Sequence, residues 1–144
     1  MKKWNGKGYD KNGNIIYELI NGNGKVKEYD DSGNLEFEGE YLNGKRNGIG
    51  KEYYYDGTLL FEGEYLNGKR YGKGKEYYHN GILLFEGDYL NDKKHGKAKE
   101  YSDGNLIFDG EYLNGEKHGK AKEYDIFGNL EFEGEYLNGK RKIE

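Results

Sequence analysis

Carboxylates recur in this chain as pairs two residues apart: Glu38 and Glu40, Glu62 and Glu64, Glu86 and Asp88, Asp109 and Glu111, Glu133 and Glu135. Two carboxylates held at a set separation are the machinery of glycoside hydrolysis. An active site, however, is singular, and this arrangement occurs in five copies. The acids read better as one solvated face of a sheet, balanced across strands by Lys75, Lys99 and their equivalents. His95 and His118 occupy the same place in successive copies, and His79 sits in a different turn. Equivalent places lie about 10 Å apart in a sheet, too far to share a metal whose bonds are about 2.0–2.1 Å. These histidines are expected in exposed turns. Gly48-Ile49-Gly50 and Gly72-Lys73-Gly74 resemble phosphate-cradling glycines. Such loops need a helix N-terminus facing the phosphate, and no helix is predicted. With no cysteine either, the expectation is a non-enzymatic chain with no cofactor and no metal.

The feature that positions all these residues is a repeat. FEGEYLNGKR runs over Phe37–Arg46, Phe61–Arg70 and Phe132–Arg141, with altered copies at Phe85–Lys94 and Phe108–Lys117. The phenylalanines are spaced 24, 24, 23 and 24 residues apart. Counting each Phe as zero, Gly recurs at +2, Tyr at +4, and a second Tyr at +16 (Tyr53, Tyr77, Tyr101, Tyr124). The first copy is degraded, with Tyr17 in the Phe place, and the array opens mid-repeat at Trp4. One domain over 1–144 is expected, with approximate repeats 4–23 (degraded), 24–47, 48–71, 72–95, 96–118 and 119–141.

Within a repeat, Leu83, Phe85, Gly87 and Tyr89 alternate with acidic Glu86 and Asp88. Period two means a strand with one buried face. The second run, Gly72–Tyr78, is also strand-like, and Asn67-Gly68 and Asn80-Gly81 punctuate the two. Asn-Gly tolerates positive φ and is the strongest short hairpin signal. The expected fold is all-β: an elongated, curled, single-layer antiparallel meander of about twelve strands built from tandem hairpins. Strands about 4.8 Å apart give a ribbon of roughly 55–60 Å. One repeat cannot bury enough to fold alone, so neighbours must share an apolar face. The sheet is expected to curl so that aromatics fill a trough, with glycines beneath them. In a regular strand the +16 Tyr points away from the glycines at +11 and +13, whereas a bulge near the 23-residue copy would reset this, and the sequence leaves the register open between the two.

Composition sets further bounds. The 144 residues include 23 basic and 27 acidic side chains, a net charge of −4 that argues against nucleic acid as a partner. Hydrophobic content is 33% and charged content 35%, yet 16% is aromatic, which disordered chains are not. A thin folded structure follows. The N-terminus lacks the apolar run of a signal peptide, so a cytoplasmic location is expected, with peripheral attachment to a membrane as the alternative.

Two surfaces are candidates for binding. Turns of one kind carry Lys45, Arg46, Lys69, Arg70, Lys93, Lys94 and Lys117; turns of the other kind carry Asp30, Asp31, Asp56, Asp103 and Asp125. In a meander these sets occupy opposite long edges, so the first set forms a basic edge for an anionic membrane surface or another acidic partner. The aromatic trough is the second surface: Tyr53, Tyr65, Tyr77, Tyr89, Tyr101, Tyr112 and Tyr124 are the candidate protein-binding residues. The end strands leave unpaired backbone groups that invite a homo-oligomer, with Met1-Lys2-Lys3 and Lys140-Arg141-Lys142 as charged guards.

The stretch FEGEYLNGKRYGKG (Phe61–Gly74) resembles the MORN repeat, whose usual form is Y-x-G-x-W/Y-x-x-G-K-x-x-G-x-G. The resemblance spans about Trp4 to Arg141. It departs in the leading Phe, in the 24-residue period, and in Ala98 and Ala121 at the second Gly. It implies a curled antiparallel sheet with a grooved face, and roles in protein contact, self-association or peripheral membrane attachment. It also implies kinship with bacterial antitoxin or immunity proteins. The reading it supports is a non-enzymatic protein-interaction module or scaffold, of the inhibitor type. The alternative is a peripheral membrane binder contacting anionic lipid.

Overall fold

A computed structural model describes residues 6–9, 12, 13 and 15–143. The strands are β1 (Gly6–Tyr9), β2 (Ile15–Leu19), β3 (Gly24–Tyr29), β4 (Leu35–Leu42), β5 (Lys45–Tyr53), β6 (Leu59–Leu66), β7 (Lys69–Tyr77), β8 (Leu83–Leu90), β9 (Lys93–Ser102), β10 (Asn105–Leu113), β11 (Glu116–Lys117), β12 (Gly119–Tyr124), β13 (Leu130–Leu137) and β14 (Lys140–Arg141). Strands β3 to β14 form one twelve-stranded antiparallel meander, in which β11 and β12 both pair with β10. The hairpin β1–β2 is a separate two-stranded sheet, joined to the meander by the bridge Ile20–Asn23. Trp4 and Met1-Lys2-Lys3 lie outside the described residues.

The turns explain the meander. Asn43, Asn67, Asn114 and Asn138 all have positive φ, as do the glycines after them, the pair of conformations a tight hairpin turn demands. Asp92 takes the Gly place with φ 70°. Each of these tips is tied to the tip before it, for example Gly68 N–H to Arg46 O at 2.9 Å. On the other edge Asp30, Asp56, Asn80 and Asp125 accept from their own turn backbones. The 23-residue copy loses its residue in this turn: Asp103 and Gly104, both at positive φ, make a two-residue loop. Its pairing of Tyr101 with Leu106 and Glu100 with Phe108 matches Tyr77 with Leu83 and Glu76 with Phe85. A bulge at this place occurs in the neighbouring repeats too, beside Tyr53 and Tyr77, and it leaves the +16 tyrosines pointing away from the glycines.

A row of small residues crosses the sheet in register: Gly39, Gly50, Gly63, Gly74, Gly87, Ala98 and Gly110 oppose one another strand by strand. The phenylalanines lie down on this row. Phe37, Phe61 and Phe85 have no exposed surface and Phe108 has 1%. A Cβ on Gly50 would stand 2.6 Å from the Phe37 ring. Tyrosines fill the gaps edge-on: Phe37–Tyr65 is 5.3 Å between centroids, Phe61–Tyr89 5.4 Å, and Phe85–Tyr112 6.1 Å. Such pairs contribute about 0.5–1.5 kcal/mol beyond area burial. A lid of cations closes the layer: Arg46, Arg70, Lys94, Lys117 and Arg141 sit 4.0, 3.9, 4.1, 4.3 and 4.4 Å from the centroids of Phe37, Phe61, Phe85, Phe108 and Phe132. Each ring is thus sandwiched between backbone and charge.

The two glycines under a ring differ. A Cβ at Gly63 would meet the Lys73 carbonyl at 2.7 Å and Gly74 Cα at 2.8 Å, both backbone. At Gly74 it would meet chiefly the Phe61 ring, and Ala98 and Ala121 already occupy the equivalent place, buried. Gly63→Ala is therefore expected to cost about 2–3 kcal/mol by overpacking, and Gly74→Ala less, nearer about 1 kcal/mol. Urea unfolding of both variants checks this; equal losses would show that the backbone yields as readily as the ring.

Candidate functional site: a charged groove opposite the aromatic layer

Side chains alternate across a strand, so residues flanking the small-residue row project to the other face. There the register builds a ladder of alternating sign: Lys27, Glu38, Lys51, Glu62, Lys75, Glu86, Lys99, Asp109, Lys122, Glu133. The cross-strand balance expected for the paired acids is this ladder. The sheet is concave on this face and forms a groove of about 1240 Å³ running from Ile49 to Glu135, lined by seven lysines and seven carboxylates. The trough is therefore charged, and the buried aromatics lie on the opposite side. The bulk of the aromatic layer and its cation lid explains why: the thicker layer takes the outside of the curve.

The two charge types are not equivalent. Tyr53, Tyr77 and Tyr101 donate to Glu38, Glu62 and Glu86 at 2.5, 2.6 and 2.6 Å. Glu64 accepts from the Lys73 N–H at 2.9 Å. By contrast Lys51, Lys75, Lys99 and Lys122 are exposed and make no ion pair within 4.0 Å among the described residues. One lip of the groove carries the +16 tyrosines. The other carries a stripe absent from the sequence expectations: Leu42, Leu66, Leu90, Leu113 and Leu137, between 38% and 53% exposed. Lys45, Lys69 and Lys93 oppose the first three leucines, and Lys140 opposes Leu137. Strand alternation was the available signal, since each Leu follows Glu at +1 and +3 in parity.

The sequence-derived candidates divide between the faces. Tyr65, Tyr89 and Tyr112 are buried in the aromatic layer. Tyr53, Tyr77 and Tyr101 stand on the groove side, and Tyr124 lines the groove. The basic edge keeps Lys45, Lys69 and Lys93, which are exposed. Arg46, Arg70, Lys94 and Lys117 turn away from it onto the phenylalanines. Of the histidines, His79 stacks on Tyr54 at 3.7 Å, while His95 and His118 are half-buried. His95 Nδ1 accepts from the Asn114 N–H at 3.3 Å. The two glycine motifs lie inside β5 and β7, and no group of metal-binding side chains exists among the described residues.

Acids at +15 lock the cation lid. Glu52 holds Arg70 at 2.7 Å and Arg46 at 3.9 Å and accepts the Tyr65 hydroxyl at 2.6 Å. Arg70 also reaches Glu76 at 3.2 Å, so one arginine spans two repeats. The lysines do less: Lys94 pairs with Glu76 alone at 3.7 Å, and Lys117, beside a cavity of about 500 Å³, makes no ion pair within 4.0 Å among the described residues. Arg46 and Arg70 go with Gly50 and Gly74, whereas Lys94 and Lys117 go with Ala98 and Ala121. A methyl beneath the ring takes space from the sandwich, and a compact ammonium needs less of what remains than a guanidinium plane.

Two predictions follow from this chemistry. Lys94→Arg is expected to stabilise by about 0.5–1 kcal/mol only together with Ala98→Gly, a coupling that a double-mutant cycle measures; additive effects would remove the proposed link between floor and lid. Burial, then the hydrogen bond and charge of the neighbouring glutamate, pushes Tyr53, Tyr77 and Tyr101 up to about 12. Their folded pKa lies above the unfolded value near 10, so their contribution is complete below about pH 10 and lost as pH rises through 12. A melting temperature that holds to pH 10 and falls beyond it, with tyrosine ionisation read at 295 nm, checks the sign.

The MORN repeat profile matches residues 37–59, 61–82, 85–106 and 108–125. A MORN repeat variant matches residues 22–43 and 117–138. No curated protein matches the chain. Each of the four main matches opens at or beside one of the buried phenylalanines, so the sandwich is the structural content of the motif. The chain belongs to the MORN-repeat family.

Proposed function

We propose that this chain is a non-enzymatic protein-binding module, of the inhibitor or scaffold type, that holds its partner in the charged groove. The observation that carries this reading is the row of exposed lysines on the groove floor without ion pairs, flanked by tyrosine and leucine lips. A side chain that serves only the fold is spent on another group of the fold, as the lid cations are. The aromatic layer leaves nothing comparable, because its rings are covered and its cations paired or stacked. MORN repeats serve elsewhere as binding modules rather than as catalysts, which supports the same reading.

A second reading has its own observation. At the basic edge each exposed Lys45, Lys69 and Lys93 stands opposite a half-exposed leucine. Leucine and lysine side by side suit an anionic lipid surface, at about 1 kcal/mol per basic side chain.

A photo-crosslinking residue placed at Lys75, on the groove floor, is expected to capture a protein from the native cell extract. The same residue at Glu131, which lies beside Phe108 and Lys117 on the aromatic side, is expected to capture none. Capture from Glu131 instead would move the binding face. Co-sedimentation with phosphatidylserine vesicles, lost in Lys45→Glu/Lys69→Glu/Lys93→Glu, would favour the lipid reading.

A further inference from the structure

We propose that the groove takes an acidic peptide in polyproline II conformation, with a carboxylate at every third residue. This rests on the groove being the binding face and adds the shape and charge of its occupant.

The first argument is the period. Adjacent strands lie about 4.7–4.9 Å apart, so like residues of successive repeats recur about every 9.4–9.8 Å along the groove. A polyproline II helix turns once in three residues at about 3.1 Å each, a pitch of about 9.3 Å. An extended β-strand repeats every two residues at about 6.6–6.8 Å and loses register with the repeats at once. An α-helix climbs about 5.4 Å per turn, which drifts from a 4.8 Å ladder by about 3 Å over five strands.

The second argument is the sign. Of the seven carboxylates lining the groove, Glu62 and Glu86 accept from Tyr77 and Tyr101, and Glu135 pairs with Lys142. The ladder lysines at +14 have no ion-pair partner within 4.0 Å among the described residues. The groove's seven lysines all lack an ion pair among the described residues, so its unpartnered charge is weighted toward ammonium groups, and the +14 row presents one of them per repeat. A guest carboxylate every third residue meets them in step.

The third argument is the backbone. Inside the groove the sheet's own N–H and C=O groups are spent on the strand ladders, so the floor offers a guest only side chains. A polyproline II chain makes no internal hydrogen bonds and leaves its carbonyls outward, where lysine ammonium groups can donate to them. Pyrrolidine rings or other apolar residues between the carboxylates meet the tyrosine lip and the leucine lip, the aromatic-walled setting that such chains prefer.

The test uses the intact chain and labelled peptides read by fluorescence anisotropy at low and physiological salt. The probes are (Glu-Pro-Pro)5, (Lys-Pro-Pro)5, and a block peptide of five glutamates followed by ten prolines. The triplet acidic peptide is expected to bind about tenfold or more tighter than the block peptide, and to weaken with salt. Lys75→Glu/Lys99→Glu is expected to abolish binding, and Lys75→Gln/Lys99→Gln to weaken it, with circular dichroism unchanged in the second variant. Lys45→Glu/Lys69→Glu is expected to leave it intact. Equal binding of the block peptide, preference for the lysine peptide, or indifference to Lys75 and Lys99 overturns the proposal. So does binding of phosphatidylserine vesicles through Lys75 and Lys99 with no peptide binding. If the peptides fail while the crosslinker at Lys75 still captures a protein, the triplet inference falls and the groove reading stands.

Discussion

A single-layer sheet has nowhere to hide a phenylalanine, and the solution to that constraint governs the rest of this molecule. Burial needs cover on both sides of the ring. Below, the cover is backbone, because the residues opposite each ring have no side chain or a single methyl. Above, it is the stem and head of an arginine or lysine from the following hairpin strand, which keeps its charge at the surface while its carbons shield the ring. Tyrosines seal the remaining edges. A chain with 33% hydrophobic residues thereby buries a continuous aromatic column without a second layer.

This solution partitions the two faces. Because folding is served on one side, the other side needs no apolar core and can be fully polar. Alternation within each strand assigns Glu at +1 and Lys at +14 to that side, and hairpin register brings them opposite each other. Charge of one sign alone would repel across strands spaced for hydrogen bonding; alternating signs remove that penalty. The groove is a by-product of good sheet design that also suits recognition.

The strands, hairpins, turn residues and cross-strand charge balance were legible in the sequence because each has a short-range signature: period two, Asn-Gly, a fixed 24-residue spacing. The split of the tyrosines between faces was legible in part, since parity alone sends Tyr53 away from Gly50. The direction of curl was not, and so the trough was assigned to the aromatics. Curl depends on the relative thickness of two side-chain layers, and the thickness of the aromatic one depends on where Arg46 and Arg70 go. A turn arginine in a sequence looks like an exposed edge charge. Only the three-dimensional proximity of Glu28, Glu52 and Glu76 shows that it is drawn inward over a ring.

The ion chain that bridges successive repeats, Glu28 to Arg46 to Glu52 to Arg70 to Glu76 to Lys94, is interrupted there and resumes only at Glu123 and Arg141. Glu100 accepts the Tyr112 hydroxyl but no cation among the described residues, and Lys117 lies over Phe108 and Tyr136 with no ion pair within 4.0 Å among them. A quasi-one-dimensional array loses cooperativity wherever a nearest-neighbour link is weak. At this joint the array is held by ring packing, Phe108 on Tyr136 at 6.1 Å, and by the strand ladder, with no charge bridge between the repeats.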